Sequence, residues 1–358
     1  CCHGGSGNPC AGCAKAWPVT APHKRRAVLG QISDADVRLL KVFQAVVDCG
    51  GMTAAELELN ISTSTISRHV KDLETRLGLT LCRRGRGGFA LTPEGVRIHA
   101  ETRQLLAATQ HFRASVDELH QRLGGAIHVA VFDKTASNPQ ARIAQAVARF
   151  RKEAPDVVLN LHVSTIQAIE RGVMEGQFQL GIIPEHRRSD TLLYDELFGE
   201  TMLLYCAAGH PLFKRAQGNR PDDPALAAPA GAGTTAGADL STAPNDDITW
   251  HDIRQHAFAG LGYHSPNMEV SHRERLQRSA TAFDQESVAT FILSGDFLGF
   301  LPDHYALSFV RAGQMRAVSP TQFAYQCHFS AIVRRSPEPT RAARIFHRCL
   351  VEAHQGRV

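Results

Sequence analysis

Apolar residues after Ser33 recur at the spacing of an amphipathic helix. Ser33 is expected to be the N-cap of a first helix whose apolar face runs through residues 37–47, and Gly50 is expected to end it. Thr53 is expected to cap a short second helix over residues 54–59. The pattern therefore predicts two short helices that pack against each other.

A third helix is predicted over residues 63–77, and its two faces differ in chemistry. Ile66, Val70 and Leu73 share an apolar face, and Gly78 is expected to end the helix. The opposite face consists mostly of hydroxyls and cations. Since Arg and Lys bind guanine edges and phosphates, and Ser and Thr hydrogen-bond to either, this face has the chemistry of a DNA recognition helix.

Two short strands with a basic, glycine-rich tip are predicted next, over residues 79–91. Such a tip can place cations along phosphates or in a minor groove. Taken alone, an Arg/Gly tip is typical of a solvated hairpin, but its position after the third helix favours the DNA interpretation.

A long helix is predicted from Pro93 to about Leu123, with Thr92 as its N-cap. Its apolar rows repeat every seven residues and consist of Ile98, Leu105, Phe112 and Leu119, and of Thr109, Val116 and Leu123. This spacing is typical of a coiled-coil seam and favours a dimer, which suits a two-fold operator. A helix packed within its own domain is the alternative.

An alternating α/β pattern begins after Gly124. Strands are predicted over residues 127–132, 157–163 and 180–183, and helices over 139–151 and 166–175. This alternation predicts a parallel sheet with right-handed crossovers. The pattern continues with one or two strands over 196–207 and with further elements over 257–261, 287–293 and 298–301.

Two segments lack any such pattern. Residues 215–247 are rich in Ala, Gly and Pro and contain no aromatic residue, so they are predicted to be a disordered insertion. Residues 1–30 are predicted to be a disordered leader; zinc binding by Cys10 and Cys13 is the alternative, but no second ligand pair follows at zinc-finger spacing. The other five cysteines lie far apart and are expected to stay reduced, and no metal site or cofactor is predicted.

Charge is concentrated in one short window of the chain. The whole chain has a net charge of only +4, yet residues 62–92 hold six basic residues against two acidic ones. The window's surplus equals that of the entire chain. A local nucleic-acid contact is therefore favoured over general binding to polyanions.

The order of these parts resembles a LysR-type transcriptional regulator over residues 33–336. The matching residues are Thr53-Ala54-Ala55, Ile61-Ser62, Ile66-Ser67-Arg68, Leu73-Glu74, Leu77-Gly78, Arg83-Arg84, Leu91-Thr92-Pro93-Glu94-Gly95 and Gly299-Phe300-Leu301-Pro302. The resemblance implies an α+β multidomain protein with a winged helix-turn-helix (31–93), a linker and dimerisation helix (94–123) and an effector domain (124–345). It further implies that the effector domain resembles a periplasmic binding protein, with lobe 1 at about 126–196 and 308–345 and lobe 2 at about 197–307.

The resemblance also implies which residues contact double-stranded DNA. With their neighbours on the third helix and the wing, they are Thr63, Ser64, Thr65, Ser67, Arg68, Lys71, Arg84 and Arg86. Many family members have Gln-Pro where this chain has Thr63-Ser64, so a different preferred base sequence is expected. Homodimers or homotetramers are expected, and contact with RNA polymerase is compatible with this class of regulator.

A small-molecule effector is expected between the lobes, where strand ends meet helix N-termini, whose free N–H groups suit an anion. The expected effector-binding residues are Lys134, Thr135, Ser137, Ser164, Thr165, Tyr263, Ser265, Glu286 and Ser287. Each hydroxyl taken alone is also typical of a plain helix cap. Asp133 beside Lys134 fits either an internal ion pair or a ligand contact.

Two other classes of protein compete with a regulator. An enzyme with an appended DNA-binding module is one, but no nucleophile elbow, phosphate-binding P-loop, His-Glu-x-x-His or dinucleotide-binding motif occurs. A transporter's solute-binding protein is the other, and the basic N-terminal module argues against it. No membrane span or secretory signal is evident, so a cytoplasmic protein is expected. Because the catalytic motifs are missing, the protein is not expected to be an enzyme.

Overall fold

The computed structural model describes residues 30–85, 88–120, 123–216 and 248–355. The chain divides into two compact units, Cys1–Thr102 and Arg103–Val358. The expected leader, apart from Gly30, and residues 217–247 of the expected insertion lie outside the described residues. Within those described ranges, no helix is long and apolar enough to cross a membrane.

The first unit is a winged helix-turn-helix. Its elements are α1 (Asp34–Asp48), α2 (Ala55–Leu59), α3 (Thr63–Leu77), β1 (Cys82–Gly85) and β2 (Gly88–Leu91), and the two strands pair antiparallel. Its core is formed by the apolar faces of α1 and α3, where Phe43, Val46, Ile66, Val70 and Leu73 are at most 1% exposed.

The predicted helix boundaries in this unit hold with one exception. Ser33 caps α1 in a capping box with Asp36, and Gly78 ends α3 at a φ of 64°. The expectation that Thr53 caps α2 is wrong. The residue that precedes the helix is Ala54, which has no side-chain oxygen, and Thr53 accepts the Glu56 N–H through its backbone carbonyl at 3.3 Å.

The long helix α4 (Pro93–Leu119) begins as predicted, because the Thr92 hydroxyl accepts the Gly95 N–H at 2.9 Å. It ends four residues earlier than the predicted Leu123. Leu123 has left the helix and packs against the core of the second unit. Phe112, Val116 and Leu119, three residues of the predicted apolar rows, are 68%, 37% and 84% exposed in the single chain.

The second unit contains a nine-stranded sheet and eight α-helices among its described residues. The strands are β3 (Gly125–Val131), β4 (Val157–Val163), β5 (Leu180–Pro184), β6 (Leu192–Ala207), β7 (Ala257–Leu261), β8 (Arg278–Ala282), β9 (Phe297–Pro302), β10 (Met315–Ala317) and β11 (Ala324–Arg334). The helices are α5 (Ile143–Glu153), α6 (Ile166–Glu175), α7 (Leu212–Arg215), α8 (Trp250–Ile253), α9 (Pro266–Arg273), α10 (Gln285–Leu293), α11 (Asp303–Arg311) and α12 (Arg341–Gln355).

The sheet order is β4-β3-β5-β11-β6-β9-β7-β8, with β10 paired to β6. β3 pairs parallel with β4 and β5, and β7 pairs parallel with β8 and β9. β11 is antiparallel to β5 and β6, and β6 is antiparallel to β9. The prediction of a parallel sheet is therefore right for β3 to β5 and for β7 to β9, but wrong for β6, β10 and β11, whose pairings are antiparallel.

The structure corrects both predicted ends of the second segment of lobe 1. The chain does not return to lobe 1 at residue 308, because α11 packs on β6, β9 and β10, and β10 pairs with the lobe 2 end of β6. It returns along β11. The domain also continues past residue 345, because α12 packs on α5 and buries Phe346, Cys349 and Leu350.

Two smaller boundaries also differ from prediction. The helix expected to start at residue 139 begins at Ile143, because Asn138 folds the preceding chain into a turn by accepting the Gln140 N–H at 2.8 Å and the Ala141 N–H at 3.1 Å. The first two residues of the insertion expected over 215–247 are ordered. Arg215 is still part of α7, and the following Ala216 is only 7% exposed.

Candidate nucleic-acid interface and effector cleft

The outer face of α3 presents the polar residues singled out from the sequence. Ser64, Arg68 and Lys71 are exposed, and Thr63, Thr65 and Ser67 are half-buried along the same helix. Arg84 lies in β1 but its side chain is outside the described part of the structure, as is the whole of Arg86. The predicted DNA-binding residues whose side chains the structure describes therefore all lie on α3, and the two cations among them are exposed to solvent.

The start of α3 is fixed by hydrogen bonds to its first turn. The Ser62 hydroxyl caps the helix by accepting the Thr65 N–H at 3.4 Å. The Thr63 N–H donates to the carboxylate of Glu56 on α2, and this hydrogen bond lowers the pKa of Glu56. Since the free N–H groups of a helix start are satisfied in this way, α2 holds α3 at a defined angle.

The far end of α3 is tied to α1 and to the wing. Arg76 donates two hydrogen bonds to the buried Asp36 carboxylate. Glu74 accepts the N–H groups of Leu81 and Cys82, at 2.7 and 3.2 Å, where the chain enters β1. The recognition face and the wing are therefore positioned by one helix.

Asp36 gives the DNA-binding domain a predictable response to acid. Hydrogen bonds from Ser33 and Arg76 lower the pKa of Asp36 from 3.8 to about 2. Because the folded pKa is depressed, its stabilising contribution is present above pH 4 or so and is lost as the pH falls towards 2. Asp36→Asn is expected to lower the resistance of α1 and α3 to urea-pulsed pepsin cleavage at about pH 5, with the difference from wild type shrinking towards pH 2.

Asp34→Asn is the matched control for this measurement, since Asp34 is an exposed carboxylate on the same helical turn. It should change the cleavage much less than Asp36→Asn. A difference between Asp36→Asn and wild type that stays constant down to pH 2 would contradict the role given to this carboxylate.

In the second unit, the lobes meet at an ion pair between two residues predicted for the cleft. Lys134, after β3 in lobe 1, pairs with Glu286 of α10 in lobe 2. Tyr305 of α11 donates to the same carboxylate at 3.1 Å, and the Lys134 ammonium lies 4.6 Å from its ring centroid. Hydrogen bonds from Lys134 and Tyr305 lower the pKa of Glu286. The pairing links the two lobes through three side chains.

Asp133 makes a second contact between the lobes. Its Oδ2 accepts the backbone N–H of Gln285 at 2.7 Å, so a lobe 1 carboxylate lies at the N-terminus of a lobe 2 helix. Burial raises the pKa of Asp133 to about 6, although the Gln285 hydrogen bond opposes the shift. The ion pair considered between Asp133 and Lys134 is replaced in the structure by one between Lys134 and Glu286.

A chain of three polar side chains makes a third contact. The Ser137 hydroxyl lies 2.9 Å from Nδ1 of His304, whose Nε2 lies 3.1 Å from Oε2 of Glu200. Burial raises the pKa of Glu200, while His304 acts to lower it. Ser137 was predicted for the cleft, and the structure adds His304 and Glu200 to its surroundings.

Two of the other predicted hydroxyls cap helices, and three further residues are held by their backbone or by burial. Thr165 and Ser265 are the N-caps of α6 and α9, and Thr135 is 5% exposed within the 3-10 turn Thr135–Ser137. Ser287 donates its N–H to Asp284, the N-cap of α10, at 2.7 Å. The Ser164 N–H donates to the Val131 carbonyl at 3.1 Å.

A small cavity lies between the lobes among these elements. It has a volume of about 10 Å³, and its lining includes Ile166 of α6, Glu200, Ser265, Asn267 and Gln285. Tyr263 is 6% exposed, and burial, together with the nearby charge of Asp133, raises the pKa of its hydroxyl. Of the predicted effector-binding residues, Ser265 lines this cavity, together with Ile166 at the start of α6 and Gln285 at the start of α10.

Sequence reasoning missed Glu200, His304 and Tyr305. Glu200 stands between Phe198 and Met202 at alternating positions of β6, and all three side chains are buried. An acidic residue on the buried face of an apolar strand was the available signal, because buried carboxylates are uncommon outside paired or functional sites. His304 and Tyr305 begin a helix with no distinctive motif, so no comparable signal marked them.

Comparison with known proteins agrees with both halves of this arrangement. A family model for the bacterial regulatory helix-turn-helix protein of the lysR family matches residues 37–96. A second model, the LysR substrate binding domain, matches residues 120–227 and 234–355. Together they span most of the chain.

Individual relatives and solved structures extend the agreement. The HTH-type transcriptional activator BauR of Pseudomonas aeruginosa is 38% identical over 315 residues, covering 88% of this chain and 94% of the relative. The nitrogen assimilation regulatory protein nac of Escherichia coli is 29% identical over 167 residues, covering 45% of this chain and 54% of the relative. The crystal structure of CbnR, a LysR family transcriptional regulator, is 17% identical with a TM-score of 0.56, covering 89% of this chain and 99% of that one.

The fold and these matches define a transcription regulator that combines a DNA-binding helix-turn-helix with an effector-binding domain, and they do not describe an enzyme. The chain belongs to the LysR family. LysR regulators bind DNA and small-molecule effectors and act as oligomers.

Proposed function

We propose that the chain recognises its operator through the outer face of α3, with Thr63, Ser64, Thr65, Ser67, Arg68 and Lys71 in the major groove. The observation that carries this proposal is the exposure of Arg68 and Lys71 on a helix whose ends are both anchored. Arg84 and Arg86 of the wing are proposed to contact phosphates or the minor groove. An anchored helix with exposed cations supports base recognition, because its position in the domain is fixed before it binds DNA.

We also propose that a small molecule binds between the lobes and controls the activity. Three contacts support this proposal, since Lys134 with Glu286, Asp133 with Gln285 and Ser137 with His304 all join lobe 1 to lobe 2. A ligand that favours a different lobe angle exchanges these contacts for its own. Thr135, Ser164, Thr165, Tyr263, Ser265 and Ser287 complete the proposed lining.

An anionic group of the effector is proposed to bind at the start of α6, beside Ser164 and Thr165. The equivalent position at α10 is less available, because the Asp133 carboxylate already accepts the Gln285 N–H. At the α6 start the Thr165 hydroxyl accepts the Ala168 N–H, and the positive end of the helix dipole favours a negative charge there.

The assembly proposed is a homodimer or homotetramer in the cytoplasm, joined through the exposed apolar row of α4. Effector binding is proposed to change the spacing of recognition helices on DNA, and contact with RNA polymerase belongs to the same proposal.

The test is selection of DNA sites by the full-length protein from a library of random duplexes, followed by gel shifts in a salt series with excess competitor DNA. A single enriched motif with two half-sites is expected, and its affinity should fall steeply as salt rises. Selection that yields no enriched motif would overturn the proposal of sequence-specific recognition.

A further inference from the structure

Four buried polar atoms near the contact between the two lobes have no hydrogen-bond partner within the described ranges. Among the described residues, buried side-chain atoms without a hydrogen-bond partner include Asp133 Oδ1, Gln285 Oε1, the Tyr263 hydroxyl and Asn267 Nδ2. Gln285 and Asn267 are each 2% exposed, and both line the small cavity between the lobes. Buried polar groups in folded proteins nearly always have partners, so a group of this kind points to a missing one.

The chemistry of these atoms indicates what the missing partner offers. Asp133 Oδ1 and Gln285 Oε1 can only accept hydrogen bonds, and the Tyr263 hydroxyl can also accept one. Asn267 Nδ2 is the donor of the group. The missing partner therefore needs several donors close together and an acceptor elsewhere in the same molecule.

The charged residues near this contact indicate whether the missing partner is a cation or an anion. Asp133, Asp284 and Glu200 lie around this contact, and their charges reinforce one another, since Asp284 and Glu200 both help to raise the pKa of Asp133. The adjacent cation, Lys134, is already paired with Glu286 and stacked on Tyr305. An anion placed here would meet carboxylates, whereas a cation would neutralise one.

The size of the cavity limits which cationic group can bind there. Gln285 and Asn267 line the cavity, and Asp133 lies beside it through its contact with the Gln285 N–H. The volume of about 10 Å³ accommodates one water-sized group. An ammonium group has that size and carries up to three donors. Within the described ranges, no group of three or more His, Cys, Asp or Glu side chains could hold a metal ion.

We infer that the effector carries a protonated amine, which binds between Asp133 Oδ1, Gln285 Oε1 and the Tyr263 hydroxyl. This inference rests on the proposed binding of an effector between the lobes and names its chemical class. The Asn267 amide then donates to an acceptor on the same ligand. The remainder of the ligand needs the lobes to separate, because the cavity has room only for its head group.

The experiment uses thermal unfolding of the full-length protein with short linear compounds of matched chain length. One set ends in a primary amine, one in a carboxylate, one in two carboxylates and one in both an amine and a carboxylate. A compound with an amine is expected to raise Tm by about 5 °C when present at roughly 100 times its Kd. Compounds that carry only carboxylates are expected to leave Tm unchanged.

Two variants make the result specific to the site. Asp133→Asn should remove most of the Tm rise, because the amide keeps the contact with Gln285 but loses the charge. Asp156→Asn is the matched control, since Asp156 is exposed at the opposite end of β4 from the cleft, and it should respond as wild type does.

The inference is overturned if no amine raises Tm, if carboxylates alone do so, or if Asp133→Asn responds like wild type. The first of these outcomes would also indicate that an ordered water fills the cavity. Gel shifts of the same preparation on its selected DNA separate this inference from the proposed function. DNA binding without any amine response would remove the inference alone, and absent DNA binding would remove the proposal for α3.

Discussion

Replacing Arg68 with alanine is expected to weaken binding to the selected operator by about 10- to 100-fold, which corresponds to roughly 1–3 kcal/mol. Arg68 is exposed near the middle of α3. It takes part in none of the ion pairs found among the described residues, so its loss leaves the fold intact. A guanidinium that binds a guanine edge contributes to specific binding far more than to nonspecific binding. Gel shifts on operator and on scrambled DNA measure both.

Arg38→Ala is the matched control for this prediction. Arg38 is also exposed, but it lies on α1, so the variant loses the same charge from the same domain without changing the face of α3. It should reduce affinity for operator and for scrambled DNA alike, and by less. Equal effects of the two substitutions would mean that Arg68 acts only through net charge and that α3 does not read bases through it.

The substitution Gly95→Ala is expected to destabilise the winged helix-turn-helix by about 3 kcal/mol. A Cβ at this position would overlap the Leu81 carbonyl oxygen and lie 3.2 Å from the Leu91 side chain. The obstacle is backbone at the entrance to β1, so it cannot rotate away as a side chain could. Either the wing or the start of α4 must move, and hydrogen exchange of peptides from these segments should accelerate.

The chain provides a matched control for this change as well. Gly124→Ala introduces the same methyl group where no other atom lies within 4 Å. It should leave hydrogen exchange and operator affinity close to those of wild type. If Gly95→Ala behaved in the same way, the close approach between the wing and α4 would have no part in positioning the DNA-binding surface.

The helices that sequence periodicity predicted best are those with one clearly buried face. α3 and α6 occur at the predicted residues, because their apolar positions match a single helical period. The crossing of β6 and β11 could not be predicted in this way. Both strands are largely buried along their length, and a run of apolar residues does not specify whether its neighbour is parallel or antiparallel.

The two candidate sites also differ in how much of each could be predicted from the sequence. The α3 residues could be predicted because a recognition helix is a local feature. All residues of its polar face come from one short stretch of the sequence. The contacts at the cleft join residues far apart in the chain, such as Lys134 with Glu286 and Ser137 with His304. Sequence reasoning identified strand ends and helix starts from each lobe, but it could not determine which of them would pair.

The late return of β11 (Ala324–Arg334) to lobe 1 has a consequence for synthesis of the protein. β5 lies between β3 and β11, and all its residues are buried in the finished sheet. While the ribosome is still translating lobe 2, one edge of β5 therefore has no partner strand. The winged helix-turn-helix has already emerged by then, so a truncated chain would carry a complete DNA-binding domain joined to an open, aggregation-prone sheet.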